Sequence, residues 1–576
     1  MREKRSGLNE RADQMERYRD WISGGLAVIF YIMFIALAWH GIFQKSLAFF
    51  MGEDTGIPGN PRIIPENLTE PALWSVVRVL ILITLYAFLT ANPEKGLGHA
   101  GQRLSRQDLR GRPLERRAHF WTAPWWLQAV LIFAFAYYLR IQVVELIGGD
   151  TIQVMDFKRV FYMSLEDGPI FADVQGVNFY QAFPNWALHV KLLHLLNVNF
   201  GGEPMTGIMY NAVISSVSAS LLYLTLYFST GKDAFAVISA LIFSCWPFYL
   251  YYTILLTPDF SFVFFCLLGL LVLVAARRFA RPLWLRLPLY ALAGICLSLA
   301  GFFKSIDKVL IIALFIAGTL WVISLGKWNK RRAAGIFLAV LVFLGAWTAA
   351  GKLVYRQLEA YVGGPVNSNV APYFLNVGMN VDTSGQWSQE VLDGYLGLVR
   401  ETDYDFDEVN REMKERLSRQ VDSVKARMRE DGADPRVKSR WDFFDKKLQK
   451  AWADNEGVRF IMQTINPENE LYGEAFYEKF YPEMQAYQVA VAFLMILGAV
   501  AALLVRERRA VLICALMVFG FALLLLISEV QPRYKAVVFP FMSAVAAYGI
   551  YGAFRLPQLL IVTAIRRCCK KRRKEV

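Results

Sequence analysis

The chain has 576 residues, of which 55% are hydrophobic and only 19% charged, and its mean hydropathy is +0.33. That balance excludes a soluble globular domain of this length, which would carry far more charge. A net charge of +13 suggests nucleic acid at first sight, but basic residues also collect in the cytoplasmic loops of membrane proteins, so no nucleic-acid partner is expected.

Apolar runs of about 20 residues can cross a bilayer. Twelve are predicted, at 22–43, 72–92, 123–146, 205–229, 233–251, 257–277, 285–302, 308–325, 333–353, 484–505, 509–528 and 535–553. The first is flanked by charge and followed by no small-residue cleavage site, so it reads as a retained span. A shorter stretch, 186–200, carries His189, Lys191 and His194 and reads as a membrane-surface or partly inserted helix. No midplane helix break or internal repeat is read. The fold class is therefore an all-α polytopic membrane protein.

Basic loops set the expected orientation. Residues 93–120 hold seven Lys/Arg against three acids, and "ARRFARPLWLR", "GKWNKRR", "RERR" and the tail "RRCCKKRRKEV" are also basic. With all of these cytoplasmic, the spans alternate without conflict, and both termini are cytoplasmic. The tail reads as adhering to anionic lipids. The first outer loop is then 147–204, and a segment of about 130 residues, 354–483, forms an outer cap. Within the cap, Val409, Met413, Leu417, Val421, Val424 and Met428 mark one stripe of a charged helix lying on the rest of the cap. The domain reading is 1–120 as an N-terminal addition, 121–353 as transmembrane core, 354–483 as cap, 484–555 as the last spans and 556–576 as tail. The six cysteines lie in apolar spans or the tail, which suggests neither a disulfide framework nor a metal site.

The unusual polar residues all fall on the predicted outer face. Asp156 follows the third span in "VMDFKRVFYM", which reads as an amphipathic surface helix and also carries Lys158. Asp259 opens the sixth span in "LLTPDFSFVFF". Lys304 and Asp307 sit in "GFFKSIDK", and Glu529 and Arg533 in "SEVQPRYK". One alternative is that residues so near span ends simply snorkel to the interface. Read as a group, they form a site. Arg and Lys supply fixed charge for a phosphate, and a nearby carboxylate can take a proton from an acceptor. Such a set suits group transfer from a lipid phosphate.

The ordered set "MDFKRVFYMSLEDG", "YQAFPNWAL", "MYNAVISSVSASLLYL", "CWPFYLYYTILLTPDFSFVFF", "GFFKSIDK", "LNVGMNVDTSGQW", "FFDKKLQKAW" and "QPRY" resembles the lipid-carrier-dependent glycosyltransferases of the C-type (GT-C) fold. This group includes protein O-mannosyltransferases of the family 39 kind and the aminoarabinose transferase of lipid A. The resemblance spans about 120–555. It implies Asp156 as catalytic base, with Asp259, Lys304, Arg533 and Lys158 lining the donor-phosphate site and Tyr180, Asn185 and Tyr534 at the cavity rim. It further implies a polyprenyl phosphate sugar donor and a cell-envelope acceptor, either glycan, teichoic-type polymer, lipid or protein. Transfer would invert the anomeric centre at the extracytoplasmic face of the plasma membrane, since no second carboxylate is placed as a nucleophile. Two features depart from the pattern. Met155 and Phe157, not a second acid, flank Asp156, and Lys304-Ser305 stands where many relatives have Arg-Pro.

No cofactor is required by this reading, although Asp150, Asp156 and Asp173 together could hold a divalent ion. Two functions from other classes remain open at the level of sequence: a lipid flippase or transporter, and a non-catalytic scaffold for envelope assembly.

Overall fold

The computed structural model describes residues 24–50, 123–148, 151–166, 173–174, 176–280, 282–323, 330–433, 441–452, 456–504 and 511–553. Eight helices among them are long and apolar enough to cross a membrane: Gly24–Ala48, Trp125–Ile147, Pro204–Thr230, Asp259–Arg278, Leu283–Phe303, Ala333–Val362, Glu474–Leu504 and Pro532–Ala553. A ninth candidate is the bent pair Asp233–Ser244 and Pro247–Ile254. The expected twelve spans are thus not reached among these residues. The span at 72–92 lies outside the described residues. Those at 308–325 and 509–528 appear as shorter helices, Asp307–Ile323 and Leu512–Ile527.

The bent pair corrects the expectation of unbroken spans. Its halves meet at 57° across Cys245 and Trp246. The cause is local, because Pro247 has no N–H to continue the ladder and its ring crowds the preceding turn. Aromatic rings fill the break. Trp246 stacks on Phe539 at 3.8 Å, and Tyr249 packs on Phe243 at 4.9 Å. The sequence reading also passed over Arg140, fully buried inside the span Trp125–Ile147, where it donates to Ser215 Oγ at 2.5 Å and to the Ala136 carbonyl at 2.8 Å.

The final span is the most enclosed, with 89% of its apolar window buried. It crosses Glu474–Leu504 backbone to backbone. A Cβ on Gly498 would lie 2.0 Å from the Val545 carbonyl oxygen, and one on Gly549 would lie 2.4 Å from that of Leu494. Small residues permit such contact between membrane helices.

The cap is helical and shares a core with the first loop. Val177, Ala182 and Phe183 from the loop bury with Val370, Tyr373, Val377, Tyr395, Val399 and Val409 of the cap. Polar ties reinforce this seam: Tyr395 donates to the Ala182 carbonyl at 3.1 Å, and the Asn367 amide N–H donates to that of Gln181 at 2.8 Å. A two-residue antiparallel pair, Asp173–Val174 with Val177–Asn178, closes the loop. The charged helix Phe406–Ala433 lies on the cap as its stripe predicts. Val409, Met413 and Val424 are buried, and the Met413 carbonyl accepts from Asn376 Nδ2 at 2.6 Å.

The first span is wired into the molecule at the cap. Lys45 pairs with Asp445 at 2.5 Å. The Trp452 carbonyl, at the end of the cap helix Asp442–Trp452, accepts from Ser46 Oγ at 3.1 Å, from Gln488 Nε2 and from Lys535 Nζ at 3.4 Å. Those donors satisfy a carbonyl that a helix end leaves without an intrahelical partner.

Candidate functional site

The expected surface helix runs Met155–Leu165 and buries Phe157, Val160, Met163 and Ser164. These fall within one sector of about 120°, and Asp156, four and seven positions before Val160 and Met163, lies over the same sector but in the first turn, where it is exposed. The helix entry is held from two sides. Gln153 donates to the Ile254 carbonyl at 3.0 Å and accepts from the Leu256 N–H at 3.1 Å, clasping the end of the bent span. The Ile152 N–H donates to the Thr464 carbonyl at 2.8 Å. Between these ties and Asp156, Met155 adopts φ +50°. A non-glycine residue there costs on the order of 1 kcal/mol or more, and such outliers gather at functional sites.

Asp156 meets Arg533 across 377 positions of sequence, with Arg533 Nη2 3.3 Å from Asp156 Oδ2. The carboxylate side chain is 52% exposed and the arginine side chain 8%. The Arg533 guanidinium carbon lies 5.2 Å from the ring of Phe157 and 5.1 Å from that of Phe460, two rings that pack edge-to-face on each other at 5.9 Å. Its Nε donates to Gln531 at 2.8 Å. Its Nη1 is buried and has no partner. A buried charged donor left open is costly, and here it sits beside an exposed carboxylate.

A second pair stands beside the first. Lys304 Nζ contacts Asp259 Oδ1 at 2.6 Å, and Tyr252 donates to Oδ2 at 2.9 Å. Both oxygens of this buried carboxylate are engaged. Burial pulls Lys304 below the usual lysine range, and the charge of Asp259 opposes that shift. Tyr534 joins the two pairs: Lys304 lies over its ring at 4.3 Å and Arg533 at 6.0 Å.

The turn before the final span is fixed by the cap. The Glu529 N–H donates to the Phe374 carbonyl and the Val530 N–H to that of Gly385, both at 2.9 Å. Glu529 accepts from Gln531 at 2.6 Å and from Tyr534 at 3.2 Å. Its burial raises the carboxyl above the usual range. Buried Lys447 donates to the carbonyls of Gly378 and Ser528. Desolvation pushes that amine down to about 7, against the pull of Glu529. The approach is tight, since a Cβ on Gly378 would lie 2.2 Å from the Ser528 carbonyl carbon.

Asp156, Arg533, Asp259, Lys304 and Tyr534 therefore come together. Lys158 does not join them. It is exposed and lies 6.0 Å over the ring of Tyr162, because two positions along a helix turn a side chain by about 200°. Tyr180 is buried with its hydroxyl unpaired, inside the packing of the surface helices. Asn185 ties the second surface helix, Pro184–Phe200, to the Lys304 turn by donating to Ser305 Oγ at 2.7 Å. Asp150 and the side chain of Asp173 lie outside the described residues, where the divalent-ion reading partly falls. Phe157, Phe460 and Gln531 were missed. Apolar and amide residues around a cation leave no signal in sequence.

No family model matches the chain, and no curated protein does. Solved structures similar to it include two membrane proteins. One is the archaeal oligosaccharyltransferase AglB from Archaeoglobus fulgidus, in complex with an inhibitory peptide and a dolichol-phosphate, at TM-score 0.36 and 14% identity over 76% of this chain. The chain spans about half of AglB, 52% of its length. The other is ArnT from Cupriavidus metallidurans bound to undecaprenyl phosphate, at TM-score 0.30 and 12% identity over 75% of this chain and 79% of that one.

Proposed function

We propose that the protein is an integral membrane glycosyltransferase that moves a sugar from a polyprenyl phosphate carrier to a cell-envelope acceptor. The observation that carries this reading is the meeting of half-exposed Asp156 with buried Arg533, whose Nη1 is unfilled. The ordered motifs that resemble the GT-C glycosyltransferases add to it.

In this reading Asp156 accepts the proton of an acceptor hydroxyl as its oxygen attacks the anomeric carbon. The bond from that carbon to the phosphate oxygen breaks, and free polyprenyl phosphate leaves with the bonding pair. Arg533 and Lys304 receive the growing charge on the phosphate, Arg533 through N–H donors in a fixed plane and Lys304 as a point charge. One displacement inverts the anomeric centre. Residues 121–353 and 484–555 serve as membrane core, 354–483 as an extracytoplasmic cap over the donor, and both termini face the cytoplasm of the plasma membrane.

The bent span raises the transporter reading again, because broken helices line transporter sites. Here rings occupy the break, with buried Arg140 5.9 Å over one of them, Tyr249, while Asp259 and Lys304 meet at its other end beside Asp156 and Arg533.

The test is purified protein in nanodiscs with a panel of polyprenyl phosphate sugars and an envelope extract. Release of free polyprenyl phosphate from one donor, dependent on Asp156, is expected. No release from any donor, with lipid movement across the bilayer intact, would overturn the enzyme in favour of a flippase.

A further inference from the structure

Away from Asp156 and Arg533, an open groove of about 370 Å³ lies between the second surface helix and the cap end of the span Ala333–Val362. Lys191 forms one wall. Leu353, Arg356, Gln357, Ala360 and Tyr361 form the other. None of the residues of the paired site lines it.

The span that supplies this wall is unusual. Only 6% of its apolar window is buried, so its sides are left to the surroundings. Exposed residues along it begin apolar, with Phe337 and Leu341, and turn basic and polar from Lys352 through Arg356 and Gln357, with Leu353 between them. Phe337 and Arg356 are 19 residues apart, about 28 Å at ~1.5 Å per residue, which matches the ~30 Å hydrocarbon core of a bilayer. Arg356 therefore stands at headgroup level when the apolar stretch is immersed. Lys191 continues the same level on the surface helix. Leu195 and Val198, four and seven positions on, share its face and are 55% and 69% exposed.

The two cations are not spent internally. Lys191 lies 4.9 Å over the ring of Tyr361. Among the described residues neither Lys191 nor Arg356 forms an ion pair. Glu359 is exposed on the same helix but forms no ion pair with Arg356 among the described residues. A pair of open cations at headgroup level, over apolar side chains that face lipid, matches an anionic amphiphile. The groove holds no carboxylate to act as a base, so its occupant is held rather than transformed.

We propose that this groove seats the phosphate of an anionic phospholipid, with Lys191 and Arg356 on the headgroup and Leu353 along an acyl chain. Basic pockets between membrane helices recognise such headgroups.

Native mass spectrometry of delipidated full-length protein tests it, with phosphatidylglycerol, phosphatidylcholine and undecaprenyl phosphate titrated separately. Wild type is expected to retain phosphatidylglycerol in preference to phosphatidylcholine. The K191Q/R356Q variant should bind phosphatidylglycerol about tenfold more weakly or worse, with its thermal midpoint and its retention of undecaprenyl phosphate unchanged. Equal retention of phosphatidylglycerol by variant and wild type would overturn the proposal. So would a matching loss of undecaprenyl phosphate, which would assign the groove to the carrier. If the double variant fails to fold, R356Q at its exposed position decides, with at least a threefold loss expected and no loss contradicting the site.

Discussion

Two acid–base pairs lie side by side under the cap and differ in everything but charge. Asp259 and Lys304 are close, at 2.6 Å, and Tyr252 takes the second carboxylate oxygen. Asp156 and Arg533 stand 3.3 Å apart, with the acid half exposed and one arginine nitrogen unfilled. The first pair has nothing left to offer a ligand on its acid. The second has an open acceptor beside an open donor. In the proposed reading the saturated Asp259 carboxylate holds Lys304 in place for the phosphate, and the unsaturated pair supplies the base, Asp156, and an open donor, Arg533.

The largest effect should come from the unsaturated pair. Arg533→Lys keeps the charge but loses the planar fork, and release of polyprenyl phosphate is expected to fall by about 10²-fold. Wild-type release by this variant would erase the distinction. Next is the saturated pair. Asp259→Asn leaves a largely buried lysine without its counter-charge and should cost roughly 3 kcal/mol of stability, read as a lowered unfolding midpoint. A midpoint unchanged by the substitution would make Asp259 dispensable to the fold.

The seam that holds both pairs can be strained from the cap. Gly378→Ala forces a methyl into the Ser528 backbone and should cost about 1–3 kcal/mol. Retained stability would show that the turn can shift without penalty. A smaller effect concerns pH. Lys447 sits at about 7 when folded, against an unfolded value of ~10.4. Between those values the unfolded chain binds more protons, so this group makes stability rise as pH increases from about 7 to about 10 and adds no slope below. Lys447→Met should flatten that part of the stability–pH curve. An identical slope in the variant would remove Lys447 as its source.

The same contrast explains how much was legible in the sequence. Asp156 and Arg533 could be matched because loop parity puts both on one face and their residue types suit phosphate chemistry. The surface helix was legible from its charges set among apolar residues, and the cap helix from its stripe at Val409, Met413 and Val424. The pairing of Asp259 with Lys304 was not, because both were read as donor ligands and only the packing of neighbouring spans shows that each occupies the other. Tyr180 and Asn185 look like rim residues in a motif, yet one is buried in the packing and the other ties a helix to the Lys304 turn. The break at Pro247 was a visible proline in an apolar run, and the apolar run was given precedence. Arg140 was hidden in the same way, as one cation within a span otherwise suited to lipid.

The most direct test of the account is Asp156→Asn, assayed for single-turnover release of polyprenyl phosphate at equal folded protein, with the unfolding midpoint measured on the same preparation. A loss of about 10²- to 10⁴-fold in the chemical step is expected, with the midpoint close to that of the wild type, because Asp156 itself is half exposed and the Asn oxygen can still accept from Arg533 Nη2. Release at the wild-type rate by a folded Asp156→Asn protein would contradict it.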